Sequence, residues 1–327
     1  MPTHLTEFYN NRIGDYVKDP DDENFLLKLN NILQKEEIKF YKELPIDYPF
    51  IFVFGLPRSG TTLLTQFIAH SFDIAYINNL MARFWLAPLF GIRLSKNVIS
   101  DKYTNYSSDF ARTADISDIH EFGYFWRYWL KKEKITGITE YEKIEKTVDW
   151  EMLRKILSNM QHEFNKPMVF KNIFGSYHIQ KICKVLGKVL FVYIERDELD
   201  VAISILNARK KYYNNLNTWW SYMPPEYDRI KDLDYMEQIA GQIFYLKKFY
   251  YKEIEKNKKY ILKIDYRELC EKPYDVSIKI NNFIEHTYHN KLNLFENIPH
   301  NFPFRTYTNE ADMKKKFKSI LHKFQHD

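Results

Sequence analysis

Cysteine is scarce. Cys183 and Cys270 are the only two in 327 residues, and they stand far apart. That excludes a disulfide framework and any zinc-ligand spacing, and it suits two buried thiols in a reducing compartment. Long apolar runs are missing as well. Residues 1–25, "MPTHLTEFYNNRIGDYVKDPDDENF", contain no apolar core of signal-peptide type, and no stretch of about 18 apolar residues follows. A cytoplasmic protein without a transmembrane segment is expected, with peripheral association to a membrane surface left open. A dominant charge sign is also lacking. The 48 Lys and Arg residues exceed the 43 Asp and Glu by five. That excess suits a small polyanionic ligand and is too weak to indicate nucleic acid. Repeats, low-complexity tracts and linker-like stretches are absent too, and nothing in the chain sets an oligomeric state.

What is present is aromatic and alternating. Aromatic residues reach 17% and hydrophobic residues 45%, enough for a sizeable core and for pockets that take flat or apolar ligands. Five apolar runs read as buried strands: 50–54, 73–77, 168–171, 188–194 and 260–264. Helical stretches are expected over about 176–187, 198–211, 233–257 and 274–286, with a basic amphipathic helix at the C-terminus. Residues 1–47 read as a helical arm. Residues 78–165 read as a mostly helical insertion, offered as an acceptor-side lid. The alternation predicts an α/β fold: a P-loop-like parallel sheet of about five strands flanked by helices, within one domain over 1–327.

The most informative stretch is "FIFVFGLPRSGTTLLTQFIAHSF", residues 50–72. An apolar strand runs into a Gly-bounded loop and then into an apolar-periodic helix. Gly55 and Gly60 allow a tight turn, and the amides that open the helix favour an anion. A nucleotide hydrolase would place lysine before the Ser/Thr of this loop, where it reaches the phosphates. Thr61 stands there instead, followed by Thr62, while Arg58 sits inside the loop. Its guanidinium suits phosphate or sulfate oxygens. The loop is therefore expected to bind an anion through Arg58, Ser59, Gly60, Thr61 and Thr62, without the lysine of ATP chemistry.

"GLPRSGTTLL" resembles the 5′-phosphosulfate loop of sulfotransferases that use 3′-phosphoadenylyl sulfate (PAPS). "VLFVYIERDELDVAISIL" is similar to the family's 3′-phosphate segment, with Arg196 and Ser204 at its arginine and serine positions. A salt bridge from Arg196 to Asp197, Glu198 or Asp200 is the alternative. "ILKIDYRELCEKPYDVSIKINNFI" resembles a late scaffold segment through Tyr266, Glu268, Leu269, Pro273 and Phe283. The resemblance touches about 50–72, 168–210 and 260–284. It implies PAPS as co-substrate, 3′,5′-ADP as product, a small-molecule or glycan acceptor hydroxyl, on a carbohydrate or a lipid-like alcohol, and no metal.

The likeness departs from the cytosolic branch of that family. Its Lys-Thr-His run is "FKNIF" here: Lys171 matches the lysine, but Ile173 replaces the histidine that serves as base. Leu63 replaces an adenine-stacking tryptophan, and no Arg-Lys-Gly-type loop is visible near the C-terminus. A bacterial or carbohydrate-type branch is implied. In-line sulfuryl transfer still needs a base, and cations to stabilise developing charge, for which Arg58 and Lys171 are candidates. "ISDIHEFGYFWRYW" supplies Glu121 and His120 as candidate bases. The alternative is that Asp118 and Glu121, at capping-box spacing, merely start a helix. Trp219 and Trp220 read equally as an acceptor platform or a packed lid, and "MKKKFK" at 313–318 as a solvated face, with neutralisation of the 3′-phosphate as the alternative. Two other functions stay open: a nucleotide kinase or NTPase with a degenerate loop and Glu195 as its acid, or an inactive nucleotide-binding interaction module.

Overall fold

Five apolar stretches become five parallel strands. The computed structural model describes residues 11–100, 104–110, 112–132 and 141–326; parts of the expected arm and insertion lie outside these. The strands are β1 Phe50–Gly55, β2 Ala75–Tyr76, β3 Met168–Lys171, β4 Val189–Glu195 and β5 Ile261–Asp265. The helices, in chain order, are α1 Pro20–Glu37, α2 Thr61–Ser71, α3 Pro88–Val98, α4 Gly123–Trp129, α5 Tyr141–Glu145, α6 Trp150–Phe164, α7 Ile179–Leu186, α8 Glu198–Tyr213, α9 Tyr227–Ile230, α10 Tyr235–Lys256, α11 Tyr266–Glu271, α12 Pro273–Tyr288 and α13 Ala311–His326.

The strand order is β2-β3-β1-β4-β5. The chain leaves β1 toward one edge, returns through β3, and then builds the other edge. β1 therefore sits where the order reverses, and ligands of open parallel sheets bind beyond the strand ends at such a place. Every residue of β1 is buried. Phe50, Phe52 and Phe54 enter the core on one face of the sheet, and Ile51 and Val53 the core on the other, as period-two side chains must. Phe52 stacks on Phe170 and Phe191 of the flanking strands, with ring centroids 5.6 and 5.2 Å apart. Burying each such ring contributes about 1.5–3 kcal/mol, so the platform beneath the loop is stiff.

Three expectations need correction. The run 73–77 forms only a two-residue strand, because Asp73 and Ile74 send their N–H groups to Asn293 and Phe72 instead of the sheet. Among its described residues, the arm is α-helical only from Pro20, after a short 3₁₀ turn at Gly14–Tyr16. Its Phe25 and Ile32 stay exposed, while Asn30 and Glu37 are buried. The insertion is helical at α3 to α6, but its described residues between 104 and 122 are largely irregular. Their main-chain groups are satisfied by Asx turns and by pairing with the end of β2.

Candidate active site

The loop after β1 turns with Arg58 and Gly60 both at positive φ, 70° and 103°. A Cβ on Gly60 would lie 2.6 Å from the Tyr266 ring, and one on Gly55 2.6 Å from the Ile194 carbonyl. Glycine is thus required at both positions by close approach. Gly60 caps α2 without a side-chain hydrogen bond, which leaves the first α2 amides for a ligand.

This loop forms part of the wall of a cleft of about 1160 Å³. Three arginines gather at one end. The Arg58 Nε–H donates to Ser204 Oγ at 3.0 Å, and its guanidinium lies 4.8 Å from the Phe110 ring centre. Arg196 donates to the Arg58 carbonyl at 2.9 Å and to the Arg305 carbonyl, over the face of Tyr266 at 4.6 Å. Burial lowers the Arg58 guanidinium below its ordinary value, and the nearby Arg196 and Arg305 charges lower it further. Among the described residues, Arg58 and Arg196 form no ion pair, and the buried Ser59 Oγ and Arg196 Nε lack a hydrogen-bond partner. Crowded cations and orphaned donors fit a multiply charged anion such as a nucleotide phosphate.

The acidic partners considered for Arg196 are committed elsewhere. Asp197 caps α8 and Glu198 pairs with Lys247. Asp200 accepts from Thr306 Oγ1 at 3.1 Å, from the Tyr307 N–H at 3.0 Å and from Lys314 at 2.6 Å. Asp200 thereby straps residues 299–307 across this end of the cleft, presenting Arg305. One lysine of the 313–318 run is thus a tether. Arg305 was missed because no local spacing marks it; only a basic residue after a Pro-bounded run hints at it. Tyr266, read as scaffold, lies in the cleft wall as well.

The second pole lies past Thr62. Lys171, at the end of β3, is 4% exposed. It donates to Thr62 Oγ1 at 2.7 Å and forms an ion pair with Glu121. Glu121 reaches it because residues 118–120 pair with the end of β2: Asn78 bridges Ile119, and the His120 N–H donates to the Ile77 carbonyl at 2.8 Å. The buried Asp118 ties this segment to α2 by accepting from Gln66 at 2.9 Å. The capping-box alternative fails, because α4 begins only at Gly123 with no side-chain cap. The surrounding walls push the Glu121 carboxyl up, but the Lys171 ammonium and its hydrogen bond outweigh them and hold it below the usual carboxylate range.

His120 opens onto the same cleft. Its Nδ1 accepts the Phe122 N–H at 2.9 Å, so the neutral ring carries its proton on Nε2. The surrounding protein depresses its pKa to about 4, and Glu121 only partly offsets this against Lys18, Lys171 and Arg83. His120 is therefore a donor here, its one lone pair already engaged. Ile173, Trp219 and Trp220 also line the cleft. Trp220 packs on Tyr212 and Trp219 edge-on to Tyr227. Glu195 lies outside the cleft lining, bound to Lys247, Lys263 and Tyr251, which removes the acid that the kinase or NTPase reading requires.

Comparison with known proteins bears on the family and the fold. The sequence profile of the sulfotransferase family matches residues 49–290. The fold is similar to sulfotransferase STF9 from Mycobacterium avium, at a TM-score of 0.52 and 15% identity over 93% of this chain and 77% of that one. It is also similar to sulfotransferase STF1 from Mycobacterium tuberculosis, at 0.51 and 15% over 90% and 81%. No curated protein matches the sequence. Among the described residues, no helix is long and apolar enough to cross a membrane.

Proposed function

Because this chain belongs to the sulfotransferase family, we propose that it moves a sulfuryl group from PAPS to an acceptor hydroxyl, releasing 3′,5′-ADP. When bound, PAPS supplies a sulfuryl group on a phosphate leaving group. The observation that carries the reading is the bridging position of Lys171, one hydrogen bond from Thr62 of the anion loop and paired with Glu121.

Arg196, Ser204 and Arg58 hold the 3′-phosphate, with Arg305 closing over it. The α2 amides, Ser59, Gly60, Thr61 and Thr62 hold the 5′-phosphosulfate. Arg58 thus serves the nucleotide end, since its side chain turns to Ser204. Lys171 stabilises charge developing on the transferred group and leaving phosphate, in a fixed position that costs no reorganisation. Glu121 Oε takes the acceptor hydroxyl proton as the new O–S bond forms. In this reading the role that a histidine fills in the cytosolic branch passes to this carboxylate, which favours an active enzyme over an inactive module.

The test is calorimetric titration with 3′,5′-ADP, and with ATP plus magnesium as the control. Tight, metal-independent binding of 3′,5′-ADP with weak ATP binding is expected. A preference for magnesium-ATP would overturn the proposal.

A further inference from the structure

The wall of the cleft beside Glu121 carries a pair of donors that the transfer itself does not use. Asn78 is 4% exposed and organises both. Its backbone bridges Ile119, which sets the 119–121 segment. Its side-chain oxygen accepts the Met81 N–H at 2.9 Å, and its carbonyl accepts the Ala82 N–H at 3.0 Å. That nucleates the 3₁₀ turn Met81–Arg83, which follows the residues paired with the His120 segment. Asn30 pins the same turn from the other side by donating to the Arg83 carbonyl at 2.7 Å.

The Arg83 side chain projects into the cleft and is exposed. Among the described residues it forms no ion pair. His120 lines the same cleft as Arg83, on the segment that pairs with Asn78, and the Phe122 N–H on Nδ1 aims its proton-bearing Nε2 away from the backbone. Two of the carboxylates lining this end are spent: Asp19 caps α1, and Glu23 pairs with Lys18 and Tyr124. An unpaired guanidinium and a fixed imidazole N–H beside the proposed base make a site for a negatively charged acceptor group.

We propose that Arg83 and the Nε2–H of His120 form an acceptor subsite for an anion, so that the alcohol sulfated here carries a carboxylate, phosphate or sulfate near its reacting hydroxyl. This rests on the sulfotransferase reading. It adds a selectivity which that reading does not require, because the arginine cluster at the other end serves the nucleotide alone.

The test uses the full chain saturated with 3′,5′-ADP and two matched probe pairs: glucuronate against glucose, and 4-hydroxyphenylacetate against 4-hydroxyphenylacetamide. The charged member of at least one pair is expected to bind roughly ten-fold more tightly, as a charge-assisted contact implies. Arg83→Ala should abolish that preference and Arg83→Lys keep most of it. Equal binding within both pairs, absence of binding by both charged members, or a preference that survives Arg83→Ala overturns the proposal. Failure of 3′,5′-ADP to bind the unmodified protein would instead overturn the functional reading. The same probes titrated without nucleotide then still report on Arg83.

Discussion

The Nε–H of Arg58 donates to the hydroxyl of Ser204 at 3.0 Å, although 146 residues separate them in sequence. One residue belongs to the loop after β1 and the other to the helix after β4. Their bond joins the two phosphate-binding segments into a single anion site, and Arg196 closes it by holding the Arg58 carbonyl. Five consequences can be measured.

Arg58→Ala should weaken 3′,5′-ADP binding by about ten- to a hundred-fold, the size of a lost charge-assisted hydrogen bond. Ser204→Ala removes a neutral partner and should cost less, about two- to ten-fold. Calorimetry reads both. Unchanged affinity in Arg58→Ala would remove the loop from the nucleotide site.

Glu121→Gln should lower turnover by about a hundred- to ten-thousand-fold, the range for loss of a general base, while nucleotide affinity stays close to normal. His120→Ala should cost far less in turnover, because its free lone pair is already bound to the Phe122 N–H. Single-turnover kinetics distinguish the two. The reverse order would make His120 the base.

Lys171 sets the acid limb of the pH profile. A base must be ionised, so activity is present above the Glu121 pKa and lost as pH falls through it, below the ordinary value of 4.5. Lys171→Met deletes the cation and leaves the enclosing walls, which raise the pKa. The acid limb of kcat/KM should then move to higher pH. A limb that stays in place while turnover falls would separate Lys171 from Glu121.

Asp200→Asn should release the strap that carries Arg305. Loss of the Lys314 pair and weaker acceptance from Thr306 and Tyr307 should destabilise the fold by about 1–3 kcal/mol and weaken 3′,5′-ADP binding several-fold. Burial pushes the Asp200 pKa up, but Lys314, Tyr307 and Thr306 bring it below 3.8. The stabilisation it contributes is therefore present above the unfolded value and lost as pH falls through the folded one. Denaturant melts of the variant should lack that part of the acid loss.

Gly60→Ala forces a side chain onto φ 103° and into the Tyr266 ring at 2.6 Å. Strain of this kind costs about 1–3 kcal/mol and should distort the loop enough to abolish tight nucleotide binding. Adding Tyr266→Ala removes the clash but leaves the backbone strain, so any recovery of stability should be partial. Thermal melts of the single and double variants give the comparison, and full recovery would locate the whole cost in the ring contact.

Local order determined the sheet. The central strands β1 and β4 come from apolar runs buried on both faces, so their type and place follow from composition alone. The anion loop was legible for the same reason, since its glycines and the helix that follows are contiguous in sequence. The short β2 strand was legible only in part, because one of the two N–H groups diverted before it, that of Asp73, donates to the Asn293 carbonyl, far along the chain. What the cleft contains beyond the loop was decided by tertiary structure. Glu121 meets Lys171 only because residues 118–120 pair with residues 77–79 just past β2, and β2 lies beside β3. Arg305 is held at the cleft through the side chain of Asp200, and the Arg83 turn is pinned by the side chain of Asn30, both partners distant in sequence. A short-range pattern specifies an element because its energy is local. Charge pairing between distant side chains is set by topology, and that becomes visible only once the strands are ordered.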